Sequence, residues 1–263
     1  MTTYRFNANP GHLAPVGGIR AKSATVSVVI AAMNEAENLP HVFATLPRWV
    51  DEVVLVDGHS TDGTVEVARS LRPDLRVVVQ SGKGKGNALT EGFAAATGDI
   101  IVMMDADGST DGHEIGRFVD ALLAGADFAK GSRYVAGGGS DDLSLIRSLG
   151  NRILTAATNL LYGTRYTDLC YGYNAFWARH LDALALDCDG FEIETLMNIR
   201  AAQAGLAIAE VPSHERCRIH GESNLHAIRD GWRVLKTIWR ERKWRPASSA
   251  QRTADAEMAR VAA

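Results

Sequence analysis

Ile100-Ile101-Val102-Met103-Met104-Asp105-Ala106-Asp107-Gly108-Ser109-Thr110 decides how this chain folds. Five apolar residues in a row, closed by two carboxylates at i and i+2 and then a glycine turn, predict a buried strand whose carboxyl end carries acids. Such a strand end offers hard oxygen ligands for a divalent cation. By itself the Asp-x-Asp pair is ambiguous, because aspartate is also a common turn and helix-capping residue.

The flanking sequence repeats the same layout. Apolar runs at 26–31, 52–57 and 76–79 are each followed by a helical pattern, at 35–46, 61–71 and 85–96, and the run at 100–105 is followed by one at 111–124. Strand and helix alternating four times predict an α/β fold with a Rossmann-like, mainly parallel central sheet flanked by helices. In such sheets ligands bind beyond the carboxyl ends of the strands. The residues there are Asn34-Glu35, Asp57-Gly58-His59-Ser60, Ser81-Gly82-Lys83-Gly84 and Asp105-Ala106-Asp107, so one sheet edge is polar, acidic or glycine-rich throughout.

The second half is less regular. Strands are expected at 128–132, 173–177 and 206–211, and helices at 145–161, 192–204 and about 225–243. Residues 1–22, rich in Gly, Pro, Asn and Ala, read as a flexible arm, and 246–263 as a polar, disordered tail. A single domain is expected over 23–245, its last helix stopped by Pro246.

Composition narrows the function classes. The 263 residues are 46% hydrophobic, enough for a sizeable core, and the formal net charge of −3 argues against the basic field of a nucleic-acid binder. Cys170, Cys188 and Cys217 are odd in number and form no C-x-x-C pair, which indicates neither a disulfide framework nor a zinc cluster. No apolar run approaches the ~20 residues of a spanning helix, and no signal-peptide core opens the chain. Reduced thiols in a cytoplasmic protein are expected.

The segment Ser81-Gly82-Lys83-Gly84-Lys85-Gly86-Asn87 matches neither a Walker loop nor a dinucleotide fingerprint, although its glycines let backbone N–H groups approach a phosphate at a helix start. Taken in order, Val28-Val29-Ile30-Ala31-Ala32-Met33-Asn34-Glu35, Val56-Asp57-Gly58-His59-Ser60-Thr61-Asp62-Gly63-Thr64, Gly84-Lys85-Gly86-Asn87-Ala88 and Asp105-Ala106-Asp107-Gly108-Ser109 resemble the family 2 glycosyltransferases of GT-A fold. These are inverting, nucleotide-sugar-dependent enzymes.

The resemblance implies a nucleotide-sugar site made by Ala31, Asn34, Glu35, Asp57, Lys83, Asp105, Ala106 and Asp107. It implies Mg²⁺ or Mn²⁺ held by Asp105 and Asp107, with Ser109 as a weaker third ligand. A divalent cation on the diphosphate would neutralise charge building on the leaving group. Competing readings stay open: Ser60 or Thr61 could cap the next helix, and Glu35 could favour a helix dipole.

Beyond the acidic motif the chain is most similar to the dolichol- and polyprenyl-phosphate mannose or glucose synthases. Gly131-Ser132-Arg133-Tyr134, Thr167-Asp168-Leu169-Cys170-Tyr171-Gly172-Tyr173, Phe191-Glu192-Ile193-Glu194 and Arg218-Ile219-His220-Gly221-Glu222-Ser223-Asn224 carry this likeness. A monoester phosphate acceptor is already an oxyanion near neutrality, so it needs arginines rather than a strong base. Arg117, Arg133 and Arg218 are the acceptor-phosphate candidates. A hydroxyl of a soluble small molecule or glycan would instead need a carboxylate base, for which Asp168, Glu192 and Glu194 are the candidates. GDP-mannose and UDP-glucose are the leading donors, and a non-catalytic nucleotide-sugar-binding module is the remaining alternative.

The final helix has two readings. Ile228, Trp232, Leu235 and Trp239 repeat at helical spacing, and residues 216–245 hold nine Lys or Arg against three Asp or Glu. That pattern suits peripheral contact with the inner face of an anionic membrane. An apolar face that simply packs on the domain fits it equally well.

Overall fold

The computed structural model describes residues 5–6, 24–222 and 226–246. In chain order the strands are β1 (Arg5–Phe6), β2 (Val26–Ala32), β3 (Glu52–Asp57), β4 (Arg76–Val79), β5 (Ile100–Asp105), β6 (Phe128–Ser132), β7 (Gly139–Ser140), β8 (Asn174–Trp177), β9 (Ile208–Pro212) and β10 (His214–Glu215). The helices are α1 (Leu39–Thr45), α2 (Thr64–Leu71), α3 (Lys85–Ala95), α4 (Ile115–Leu123), α5 (Leu145–Tyr162), α6 (Leu181–Leu184), α7 (Ile193–Gln203) and α8 (Ala227–Arg240).

Eight strands form one sheet in the order β1-β9-β6-β8-β5-β2-β3-β4. β2 pairs in parallel with β3 and β5, β3 with β4, and β6 with β9. β8 runs antiparallel between β5 and β6, and β1 runs antiparallel on β9. The sheet is therefore mainly parallel, with β8 as the internal exception. A second, two-stranded ladder pairs β7 with β10, and short strands of this kind gave no apolar pattern in the sequence.

Strict alternation along the central strands splits the core into two layers. Val28, Ile30, Leu55, Val102 and Met104 face α1, α2 and α4. Val29, Val54, Val56, Ile101 and Met103 face α3 and α7 on the opposite side. Both faces are covered, which is why these strands read as unbroken apolar runs. Helix α7 is buried on nearly every side, from Ile193 to Ala201, because α6 and α8 cover the face turned away from the sheet.

Three helices start later than expected. Asn34 takes a left-handed φ of 58°, and Glu35 O accepts from the N–H groups of Asn38 and Leu39, so residues 36–38 form a turn before α1. Gly63 has a φ of 87°, and Asp62 accepts from Thr64 N, which delays α2 to Thr64. A 3-10 turn, Gly112–Glu114, capped by Asp111, precedes α4. The arm expected at 1–22 and the tail expected at 246–263 lie outside the described residues apart from Arg5–Phe6 and Pro246.

Candidate active site

The loops after β2, β3, β4 and β5 converge on one cleft of about 500 Å³ at the carboxyl edge of the sheet. Its floor is the end of β5. Asp105, Ala106, Asp107 and Ser109 all line it, as do Ala31 and Glu35. Of the other residues expected around a nucleotide sugar, Asn34 lines a neighbouring hollow that shares Glu35 and Arg218. Asn34 Oδ1 accepts from Thr61 N at 2.8 Å and Asn34 N donates to Ser60 Oγ at 2.9 Å, so this residue ties the β2 and β3 loops together. Asp57 is buried just behind the cleft wall formed by Gly58, and accepts from Ser60 N.

Lys83 is a correction. Its side chain is exposed on the turn and does not line the cleft, whereas Lys85, the first residue of α3, does. Gly84 precedes it with a φ of 90°, and this turn swings Lys85 inward. Lys85 Nζ lies 2.6 Å from Asp105 Oδ1 and 2.8 Å from Glu194 Oε1. Burial alone would lower the Lys85 pKa, but the two carboxylates outweigh it and raise it. For Glu194, burial and the charge of Asp105 push the pKa up against the pull of Lys85. A Cβ at Gly172 would stand 2.7 Å from Glu194 Oε1, 3.1 Å from Lys85 Nζ and 3.2 Å from Asp105 Oδ2, so a side chain there would have to displace the ends of this triad.

The second acid is held differently. Asp107 Oδ1 accepts from Ser109 N at 3.0 Å, and Asp107 Oδ2 lies 3.2 Å from an Arg218 nitrogen. Arg218 also reaches Glu35 Oε1 at 2.9 Å, which pins the segment after β10 across the mouth of the β2 loop. Among the described residues no group of three or more His, Cys, Asp or Glu could cage a metal ion. Two aspartates with free lone pairs in an open cleft nevertheless fit Mg²⁺ or Mn²⁺, which keep several waters and share their remaining positions with phosphate oxygens. The donor set suits a cation shared with a diphosphate rather than a protein-enclosed one.

Arg133 and Asp168 are also corrections. Arg133 Nε and one terminal nitrogen donate to Asp168 at 2.7 and 2.9 Å, and the other terminal nitrogen donates to Glu215 Oε2 at 3.0 Å. Asp168, with no exposed surface, accepts from Asn151 Nδ2 as well. Burial opposes its charge, but the hydrogen bonds and charge of Arg133 outweigh this and hold its carboxyl below the usual range. Arg133 is buried with its fork turned to these two carboxylates and does not line the cleft, and the enclosed Asp168 cannot reach a sugar as a base. The pair instead fastens β6, α5 and β10 together behind the cleft.

Arg117 lies on the outer side of α4, bonded to Glu114 and to Pro212 O, and does not line the cleft. Glu192 does not line it either, whereas Glu194 does. The arginines that do line it are Arg147 on α5, Arg218, and Arg229 and Arg233 on α8. Three of the four were missed in the sequence. Arg229 and Arg233 stand at i and i+4, which signals one helix face but not the direction it points.

Residues 27–184 match the family described as Glycosyl transferase family 2. Glycosyltransferase AglJ of Haloferax volcanii is 33% identical over 221 residues, covering 83% of this chain and 72% of that protein. The dolichol-phosphate mannosyltransferase of Pyrococcus furiosus is also 33% identical; the match covers 83% of this chain but only 64% of that longer protein. The polyprenol monophosphomannose synthase of Mycolicibacterium smegmatis is 34% identical over 70% of this chain and 75% of its own. Among solved structures, glucosyl-3-phosphoglycerate synthase from Mycobacterium tuberculosis, in complex with Mn²⁺, uridine diphosphate and glucosyl-3-phosphoglycerate, superposes with a TM-score of 0.67 at 27% identity, covering 86% of this chain and 82% of that one.

Proposed function

The chain belongs to glycosyl transferase family 2, a glycosyltransferase of GT-A fold, and on that premise we propose that it transfers a hexose from a nucleoside-diphosphate sugar to a polyprenyl phosphate with inversion. The observation that carries this reading is the composition of one cleft, where Asp105 and Asp107 on the sheet edge share the lining with Arg147, Arg218, Arg229 and Arg233. The acids suit a cation-bound diphosphate, and the arginines that share the cleft suit an anionic acceptor.

Asp105 and Asp107 would hold Mg²⁺ or Mn²⁺, which when bound neutralises charge on the departing nucleoside diphosphate. The solved relatives in complex with Mn²⁺ or Mg²⁺ and uridine diphosphate support this assignment. Glu35 and Asp57 line or back the wall where the nucleoside would lie. The arginines orient an acceptor phosphate oxygen, already ionised near neutrality, so that it attacks the anomeric carbon while the bond to the diphosphate oxygen breaks on the opposite face. No carboxylate need take a proton in that step. GDP-mannose and UDP-glucose are the favoured donors, and the relatives named as dolichol- or polyprenol-phosphate mannose synthases support the lipid acceptor.

A soluble phosphorylated acid is the second reading, favoured by the likeness to a glucosyl-3-phosphoglycerate synthase solved with phosphoglyceric acid. The deciding assay incubates the protein with Mn²⁺ and radiolabelled GDP-mannose or UDP-glucose, and offers polyprenyl phosphate or 3-phosphoglycerate. Label extracted into the organic phase supports the lipid acceptor. Label that stays in water with 3-phosphoglycerate alone overturns it.

A further inference from the structure

Helix α5 is turned with its apolar side to solvent. Leu145, Ile146, Leu149, Ile153 and Leu160 are all at least 61% exposed. At 3.6 residues per turn they fall within an arc of about 100°. The opposite, inward face carries Asn151, Thr155 and Thr158, all buried, and neither threonine hydroxyl has a hydrogen-bond partner. A surface helix normally presents its apolar stripe to the core and its polar side to water, so α5 inverts that arrangement.

Helix α8 packs beside α5 and adds a second stripe. Ile228, Trp232, Leu235 and Trp239 follow at i, i+4, i+7 and i+11 and are 40–82% exposed, while Val234 and Ile238 supply the helix's packing on the domain. The sequence therefore left open a choice that the structure resolves for this helix: its tryptophan stripe is not the face that packs inward. Arg229, Arg233, Lys236 and Arg240 flank the stripe on one side. Arg147 of α5 and Arg229 and Arg233 of α8 also line the cleft, so the apolar face and the cleft mouth adjoin.

We propose that the α5–α8 face is a docking surface for an anionic lipid bilayer, seating the arginine-lined mouth of the cleft against the headgroups. Exposed aliphatic side chains enter the acyl boundary, tryptophans sit at the headgroup level and arginines meet lipid phosphates. The alternative occupant, a second copy of this chain, would set the basic flank of one α8 against another basic surface. Among the described residues no helix is long and apolar enough to cross a membrane, so this contact is superficial. The inference deepens the lipid-phosphate reading of the acceptor and is tested independently of it.

The test is co-sedimentation of the full chain with vesicles of phosphatidylcholine, with and without about one-third phosphatidylglycerol, containing no polyprenyl phosphate. The wild type is expected to bind the anionic vesicles, and less so at high salt. Leu149→Glu and Ile153→Glu on α5, and Trp232→Glu on α8, are each expected to weaken binding about tenfold, the worth of one large apolar side chain withdrawn from the interface. Ile153→Trp should bind as the wild type does. All are exposed positions, and circular dichroism checks that the variants fold.

A wild type that stays in the supernatant overturns the proposal. So does binding that the α5 variants leave unchanged. A dimer in gel filtration that the α5 variants split, without vesicle binding, assigns the face to self-association instead. Transfer to polyprenyl phosphate dispersed in detergent separates the two ideas: transfer without vesicle binding retains the acceptor and discards the docking surface, and vesicle binding without transfer does the reverse.

Discussion

Lys85 Nζ stands 2.6 Å from Asp105 Oδ1 at the floor of the cleft, and the same ammonium reaches Glu194 at 2.8 Å. One lysine thus bridges two carboxylates that come from β5 and α7. Lys85→Met leaves both acids facing each other without a cation, and removing one partner of a buried pair costs about 3–5 kcal/mol. A loss near the lower end, about 3 kcal/mol, is expected because Asp105 still meets solvent. Urea denaturation measures it, and Lys85→Met/Glu194→Gln should recover much of the loss. Equal instability of the single and double variants would show that the triad is not the cause.

Asp105→Ala and Asp107→Ala are expected to abolish sugar transfer while the circular dichroism spectrum stays that of the wild type. Losing the ligands of a diphosphate-bound cation removes several kcal/mol of transition-state stabilisation, on the order of a thousandfold in rate. Chelation should reproduce this loss in the wild type, and added Mn²⁺ or Mg²⁺ should reverse it. Full activity in the presence of a chelator would contradict the assignment of these two acids.

Arg147→Ala, Arg229→Ala and Arg233→Ala should each raise the acceptor KM about tenfold, the worth of a charge-assisted hydrogen bond, while the donor KM stays unchanged. Arg117→Ala, on the far side of α4, should leave both constants alone. A rise in donor KM instead would move these arginines to the diphosphate.

The buried Arg133–Asp168 pair predicts a pH signature. Asp168 is held below its unfolded pKa, so the folded protein binds fewer protons there, and the pair's contribution is present above the ordinary carboxylate pKa and lost as pH falls through the lowered one. Asp168→Asn is therefore expected to cost about 3–5 kcal/mol near neutrality. The difference from the wild type should narrow in acid. Denaturation curves at several pH values read it directly, and a gap independent of pH would exclude the ionised pair as its source.

Burial pushes the Cys170 and Cys188 thiols up to about 12, with Glu194 adding to the first and Glu192 to the second. Cys217 is exposed. Alkylation attacks the thiolate, so brief iodoacetamide treatment of the native protein near pH 8 should modify Cys217 alone, as read by peptide mass mapping. Labelling of Cys170 would mean that the cleft wall opens.

The sheet was legible because its signal is local. Runs such as Ile100–Asp105 and Arg76–Val79 carry their own apolar pattern and their own polar stop, and those strands occupy the expected positions. The acids at strand ends followed from the same logic, since a parallel sheet gathers its carboxyl ends along one edge. Helix starts were less legible, because positive φ at Asn34 and Gly63 delays them and the side-chain pattern does not record that angle.

The sequence by itself determined the longer strands of the sheet, the polar loops after β2 to β5 and the cleft edge on which Asp105 and Asp107 stand, since each depends on residues within a few positions of one another. Only the tertiary structure decided which cations serve that cleft. Lys85 enters it and Lys83 does not, because one glycine turn sets the side chain's direction. Arg133 is withdrawn from it because Asp168, 35 residues away, and Glu215 hold its fork. Likewise an apolar stripe defines a helix face but not where that face looks, and α5 turns its stripe outward because packing against the rest of the domain, not periodicity, fixes a helix's rotation.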